Sequence, residues 1–434
     1  MMSYILAALS IIVPFLYLLR SSDWAKADIY ERLVMMSLAS WVVASFFSIH
    51  MGIQFFCGVG VMAVTYAIKK RHYHLNKTLT ALFILYFLWN AISLIWAPDI
   101  AKGLSRLRIY FLFVVIPLIF GCVKIDEHTK WTVFTAAIRT MGYYLAATFV
   151  TWLITCYNNN INPAEWLHVT KSTFVGSQAY NILLSWSNYR HPTYTSTGLM
   201  VLTLIGILTS QKRISADRLS YVEAALFTLA TLLFILLIQS RIALLMWVIL
   251  VPISIIYRII AHKKTAITTS VALLAAAMAF CVSEQDKIER FFDDDIRIQN
   301  FKTAHYCIKQ HPLLGSGIEG IRFEMDSDEI AKKIGFEAAN KDLGNPHNQF
   351  VGDLMMTGVV GLTLCVAIYL YIIFLGIRER NFPLLMFMAT FLMLSNIEMP
   401  FYLHKGVIIF LMFTLILLSG GDTEQITPKD SSHT

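Results

Sequence analysis

Long apolar runs separated by short polar turns dominate the sequence. Ser3–Leu19, Leu33–Ile68 and Leu79–Trp96 hold stretches of spanning length, about 17–20 residues per crossing of a bilayer. In hydrocarbon such stretches must be helical, because a helix satisfies its own backbone polar groups. Followed along the chain, the pattern predicts crossings near 3–19, 33–49, 51–68, 79–96, 104–121, 131–156, 192–210, 221–239, 242–259, 265–282, 351–375, 382–396 and 404–419. That makes about twelve or thirteen; the pair within 33–68 and the last two segments set the difference. The expected fold class is an all-α polytopic membrane protein.

Composition sharpens this. Of 434 residues, 57% are hydrophobic and 15% charged, against about half and a quarter in an ordinary soluble domain. One water-soluble core cannot hide that much apolar surface, so lipid is the solvent for much of the chain. Cys57, Cys122, Cys156, Cys281, Cys307 and Cys365 lie mostly in or beside apolar runs. No CxxC or Cys/His spacing suggests zinc, and they read as small packing residues. The net charge of +7 is spread over membrane-flanking positions, a pattern of topology determinants rather than a nucleic-acid surface. The first 19 residues lack a basic start and a small-residue cleavage motif, so they read as a retained helix.

The positive-inside rule sets the orientation. One alternating set of short loops carries Arg20, Lys26 and Arg32; Lys69, Lys70, Arg71 and Lys77; Lys124 and Lys130; Lys212, Arg213 and Arg218; Arg258, Lys263 and Lys264; and Arg378 and Arg380. The opposite set holds only Lys102, Lys171, Arg190 and Arg241. The basic set is expected in the cytoplasm, which puts 157–191, 283–350 and the Gln239–Arg241 turn outside. The long segment Ser283–Phe350 is not disordered by composition. An acidic start at Asp293, Asp294 and Asp295 suits a helix N-terminus, as a solvated start or a divalent-cation site. Ile298, Phe301, Ala304 and Ile308 follow at helical spacing, and His311-Pro312-Leu313-Leu314-Gly315-Ser316-Gly317 ends the helix. Two or more helices are expected to lie over the outer membrane surface. The chain divides into N-terminal helices (1–184), a core with the long loop (185–375), C-terminal helices (376–420) and a polar tail (421–434).

Four outward features carry candidate chemistry. Arg241, after Ser240 and between two apolar segments, must snorkel to water, bind an anion or mark topology. Arg190 and His191 precede Pro192 at the start of a membrane helix, as interface anchors or ligands. Arg297 either pairs with its aspartate neighbours or binds an anion; His311 reads as a capping or packing residue. His347, in Asn345-Pro346-His347-Asn348-Gln349-Phe350, lies where the loop re-enters the membrane. With an ordinary pKa near 6.5, a histidine there suits proton transfer, although a structural histidine fits the same position. Gly358 and Gly361 read as close-packing residues. Taken together, arginines from separate segments and one histidine fall on one face. Arginine forks match phosphate oxygens, so the set suits attack on a diphosphate-linked donor.

The order and spacing of four blocks resemble the O-antigen ligase and polymerase superfamily. They are His191-Pro192; Ser240-Arg241 with the apolar run to Leu250; Asp295-Ile296-Arg297 leading to His311–Gly317; and His347-Asn348-Gln349-Phe350 leading to Gly358-Val359-Val360-Gly361. The resemblance covers roughly 185–375, and Ile242 departs from it, since many members carry a small residue there. It implies a C-type glycosyltransferase-like membrane fold, working without cofactor or metal at the periplasmic face of the inner membrane. It implies an inverting transfer of a glycan from undecaprenyl diphosphate to lipid A–core. In a polymerase the acceptor is another lipid-linked repeat unit. Carried over by position, His347 is the base and Arg241 contacts the diphosphate. Arg190, His191, Arg297 and Asn348 are the candidate substrate-binding residues. Expected partners are the lipid-linked donor, the glycan acceptor and membrane lipids, with no nucleic acid. A flippase or transporter is the rival from another class; it would carry repeats and midplane sites.

Overall fold

The computed structural model describes residues 9, 12–46, 49–70, 73, 75–123, 125–158, 160, 162, 192–212, 215, 217–238, 240–260, 295–339 and 345–420. Among them the chain is helical, with one isolated bridge between Gln211 and Ser220 in place of any sheet. The helices are α1 (Ser22–Lys26), α2 (Ile29–Ala44), α3 (Ile49–Lys70), α4 (Lys77–Ile92), α5 (Ile100–Tyr110), α6 (Leu112–Gly121), α7 (Glu127–Asn158), α8 (Pro192–Thr209), α9 (Tyr221–Leu237) and α10 (Arg241–Ile259). Then come α11 (Asp295–Gln310), α12 (Gly320–Met325), α13 (Asp328–Lys333), α14 (Gln349–Arg378), α15 (Phe382–Ser395) and α16 (His404–Leu418). Short 3-10 turns follow α4 at Ser93–Trp96 and precede α16 at Pro400–Tyr402.

Local sequence sets the helix starts. Asp28 and Glu31 form a reciprocal capping box ahead of α2, and Ser220 and Glu223 do the same for α9. Pro117 and Pro252 sit inside α6 and α10, a position tolerated in membrane helices where neighbours satisfy the freed backbone. Among the described residues, six helical stretches are long and apolar enough to cross a bilayer: Lys77–Trp96, Ile100–Gly121, Glu127–Asn158, Pro192–Thr209, Arg241–Ile259 and Gln349–Arg378. The shorter apolar helices α9, α15 and α16 pack among them, and Gly58–Lys69 within α3 is a further apolar stretch. The expected crossing at 265–282 lies outside the described residues, as do residues 3–8, 10 and 11 of the expected crossing at 3–19.

The outer surface confirms that lipid is the solvent. Leu226, Leu229 and Leu233 on α9, and Leu370, Phe374 and Ile377 on α14, expose apolar stripes at helical spacing. Polar side chains turn inward instead, as in the Thr203–Thr231 hydroxyl bond at 3.1 Å between α8 and α9. The chain is an all-α polytopic membrane protein.

The two ends of the bundle differ. At one end basic side chains bond the carbonyls that helix C-termini leave free. Lys130 Nζ donates to the Ser419 carbonyl at 2.7 Å, and Arg258 donates to that of Ser210. Arg139 pairs with Glu223 at 2.9 Å. Because Ser210 and Arg258 meet here, α8 and α10 run parallel, and Pro192 and Arg241 start together at the other end. That other end is where the candidate residues gather.

Candidate active site

The apolar run 351–375 does not form one straight crossing. Gly358 takes φ 67°, ψ −165° in the middle of α14, and the chain doubles back there. Phe350 and Tyr369 meet edge to face at a ring-centroid distance of 5.6 Å, whereas in a continuous helix their nineteen-residue separation would put them about 28 Å apart. Asp353 meets Cys365 side chain to side chain in the same way. α14 is therefore a helical hairpin: a short first arm (349–357) and a long second arm (359–378). The second arm alone, at about 30 Å, matches the hydrocarbon thickness. Gly358 and Gly361, expected to serve close packing, are corrected at Gly358, which makes the reversal. Its positive φ is open to glycine, and a Cβ there would overlap the Leu313 carbonyl.

The motif after α11 explains how the reversal is tolerated. The Val359 amide donates to the Pro312 carbonyl at 3.1 Å. Ser316 and Gly317 amides donate to the carbonyls of Met355 and Met356 at 2.9 and 2.8 Å. Trp89 on α4 donates its indole N–H to the Thr357 carbonyl at 2.9 Å. Backbone groups exposed by the broken helix are thus paired again, as burial requires. The His311–Gly317 segment is a cap for the hairpin.

The first arm runs parallel to α4, since Tyr86 bonds Asp353 at 2.8 Å and Trp89 reaches Thr357. Its N-terminus therefore points back into the bundle, and three consecutive residues there grip the loop between α15 and α16. His347 Nδ1 lies 3.2 Å from Glu398 Oε2. Asn348 Nδ2 donates to the Asn396 carbonyl at 3.2 Å, while its Oδ1 caps the arm by accepting from Phe350 and Val351 amides. Gln349 Oε1 accepts from the Phe401 amide at 2.8 Å, and its Nε2 donates to Asp353 at 3.1 Å.

His347 itself is held in a left-handed conformation, φ 50°, with its amide donating to Asn345 Oδ1 at 2.9 Å. Asn345 is in turn tied to α11, because Asn300 Nδ2 donates to its carbonyl at 3.0 Å. The His347 and Glu398 side chains are 13% and 9% exposed. A carboxylate on Nδ1 favours the tautomer that leaves the Nε2 lone pair available. Among the described residues Nε2 has no hydrogen-bond partner. Such a pair can take a proton from a hydroxyl and stabilise the resulting imidazolium.

Further polar groups gather at this end. Tyr194, in the first turn of α8, interacts electrostatically with Glu398. Buried Lys405, in the first turn of α16, lies 3.4 Å from Thr195 Oγ1. Arg106 on α5 pairs with Glu319, donates to the Tyr402 carbonyl at 2.7 Å and sits 3.5 Å over the Tyr402 ring. The Tyr402 hydroxyl closes the cluster on Glu319 at 3.0 Å; burial pushes its pKa up, so it stays a donor.

Of the residues expected from sequence, His347 and Asn348 are brought together with the loop 396–402. Arg241 opens α10 at the same end with an exposed side chain, behind Ser240, whose buried hydroxyl has no partner. Arg297 lies in the first turn of α11, with its side chain outside the described residues, and Arg190 and His191 lie outside them altogether. Sequence reasoning missed Glu398, Arg106, Glu319, Tyr402 and Lys405. Glu398 did carry a signal: it is the sole acid between Glu379 and Asp422, in an otherwise apolar stretch, and such residues are by default functional candidates.

Residues 225–366, from within α9 through the reversal at Gly358, match the family model described as O-antigen ligase. No curated protein matches the chain. The match covers three of the four sequence blocks, His191-Pro192 lying outside it, and bears out the resemblance; it supports an O-antigen ligase- or polymerase-type function.

Proposed function

We propose that the protein is an O-antigen ligase-like glycosyltransferase of the inner membrane, taking an undecaprenyl diphosphate-linked glycan at the periplasmic face. The observation that carries this reading is the His347–Glu398 pair at the inner end of the short first arm of α14. His347 Nε2 accepts the proton of an acceptor sugar hydroxyl, and Glu398 stabilises the imidazolium. The freed oxygen attacks the anomeric carbon of the donor. A new C–O bond forms, the bond from that carbon to the phosphate oxygen breaks, and undecaprenyl diphosphate leaves with inversion. Arg241, exposed at the start of α10, supplies the guanidinium that binds the diphosphate oxygens; Arg190, His191 and Arg297 are proposed to assist, and Asn348 holds the arm. The acceptor in this reading is lipid A–core.

The test is transfer by purified protein given undecaprenyl diphosphate-linked glycan and lipid A–core. His347→Ala should lower turnover about 10²–10⁴-fold, the usual weight of a general base, and Arg241→Ala should raise the donor requirement. Wild-type rates in both folded variants would remove the site. A polymerase uses the same donor chemistry, and a deletion strain separates the two. Uncapped core accumulates if the ligase is missing; core capped with a single repeat would sink the ligase assignment. An interrupted helix is also found in transporters, so the assay includes a liposome arm. Movement of labelled lipid-linked glycan with no transfer would replace the enzyme reading.

A further inference from the structure

A concavity lies beyond the turn at Gly358, lined by none of the residues that surround His347. Trp96 and Pro98 after α4, Leu313 in the hairpin cap, Phe323 and Glu324 on α12, and Ile330 on α13 enclose a cavity of about 640 Å³, inside the usual range of small-molecule sites. Its walls are chiefly apolar and its rim is uncovered: Leu313 is 70% and Phe323 69% exposed. Close in sequence to its Pro98 wall, Ile100 is exposed in the first turn of α5. Contiguous apolar surface of this kind marks an interaction site, and its continuity with the lipid-facing helices indicates what fills it.

One carboxyl interrupts the apolar wall. Glu324 meets the Ser316 hydroxyl and the Cys307 thiol, yet its Oε2 is buried with no hydrogen-bond partner. Burial raises its pKa to about 7. An uncharged carboxyl is a donor as well as an acceptor, whereas its ionised form would repel an anionic headgroup. Bare hydrocarbon would leave its polar atoms unpaired. The complementary ligand is hydrocarbon bearing an uncharged oxygen.

We propose that this cavity binds one acyl chain of a membrane lipid, with Glu324 hydrogen-bonded to an ester or hydroxyl oxygen on that chain. A polyprenyl chain offers no such oxygen along its length. The site stands independently of the transfer reading, because it is defined by binding. Binding should favour protonated Glu324, since the chain removes the carboxyl further from water. It should therefore weaken as pH rises through about 7. The other titratable groups around Glu324 are Cys307 on α11, kept uncharged by burial, and His311 in the cap. On its own helix Arg322 pairs with Asp326 at 3.6 Å, and Asp99 beside Pro98 pairs with Lys102 at 3.2 Å.

The experiment places a benzophenone photo-crosslinker at Phe323 of the full-length protein, in bilayer discs containing radiolabelled phosphatidylglycerol or undecaprenyl phosphate. The same crosslinker at lipid-facing Ile95 is the control. We expect saturable labelling by phosphatidylglycerol at Phe323, non-saturable labelling at Ile95, and at least a tenfold loss at Phe323 when Ile330→Trp or Leu314→Trp fills the cavity. Labelling should fall severalfold between pH 6 and pH 8.5 in the parent protein, and Glu324→Gln should flatten that dependence. Labelling at Phe323 as non-saturable as at Ile95, preferential labelling by undecaprenyl phosphate, or a parent protein indifferent to pH would each overturn the proposal.

Discussion

At His347 a left-handed backbone and a carboxylate partner meet in a single residue. A non-glycine residue at φ 50° carries about 1–3 kcal/mol of strain, and the Asn345 side chain and Asn300 hold it there. If the pair works as proposed, Glu398→Gln keeps a hydrogen-bond acceptor for Nδ1 but loses the charge that stabilises the imidazolium. Single-turnover rates should then fall about 10- to 100-fold, with little change in the unfolding temperature. A stability loss with unchanged rates would instead make Glu398 a packing residue. His347 and Asn348 were legible because a polar pair at the foot of a long apolar run has few structural reasons to be there. Arg106 and Glu319 were not, for their partnership spans 213 positions of sequence and neither residue stands out among its neighbours.

Elements show where hydropathy stops informing. The run 351–375 reads as one crossing because apolar residues continue through Gly358, and a hydropathy pattern does not register a change of direction. The reversal depends on a positive φ and on a cap that arrives from residues 312–317. Gly358→Ala should cost more than about 1 kcal/mol, because alanine resists positive φ and here also meets the Leu313 carbonyl. Thermal unfolding in detergent measures it; an unchanged midpoint would mean that the arms do not fold back at this glycine. Asn348→Ala should cost about 1 kcal/mol through loss of the N-cap. Asn348→Asp should recover that stability, since it still accepts from Phe350 and Val351, while losing the donor to Asn396. Helix positions elsewhere were legible to within a few residues, because caps such as Asp28–Glu31 and Ser220–Glu223 are written locally.

For the whole molecule, the site end is tied together across distant parts of the chain. Arg106 and Glu319 are 16% and 6% exposed, and the cluster they form with Tyr402 joins α5, the turn before α12 and the loop before α16. Arg106→Leu should destabilise by about 3–5 kcal/mol, as when one partner of a buried pair is removed, and adding Glu319→Gln should restore part of it. Additive losses in an unfolding series would show that the two residues do not act as a pair. A division at 375 would separate Glu398 and Tyr402 from His347, although the loop that carries them is held by residues 347–349. The two unlike ends also make orientation testable. In a cysteine-free background, a cysteine at Glu329, whose side chain is 78% exposed on α13, should react with an impermeant maleimide in intact cells, and one at Arg378 only after permeabilisation. The opposite pattern would invert the assignment.

The reversal at Gly358 has a further consequence. Nine residues of first arm carry His347 about 13 Å back from the turn, so the imidazole, 13% exposed, lies within the helices rather than on a surface. On the proposed reading, bulk water reaches it poorly, which protects an activated donor from hydrolysis. A hydroxyl must come on the end of something slender enough to descend and long enough to arrive. The hairpin would then act as a depth gauge for acceptors, selecting them by reach before any sugar is recognised.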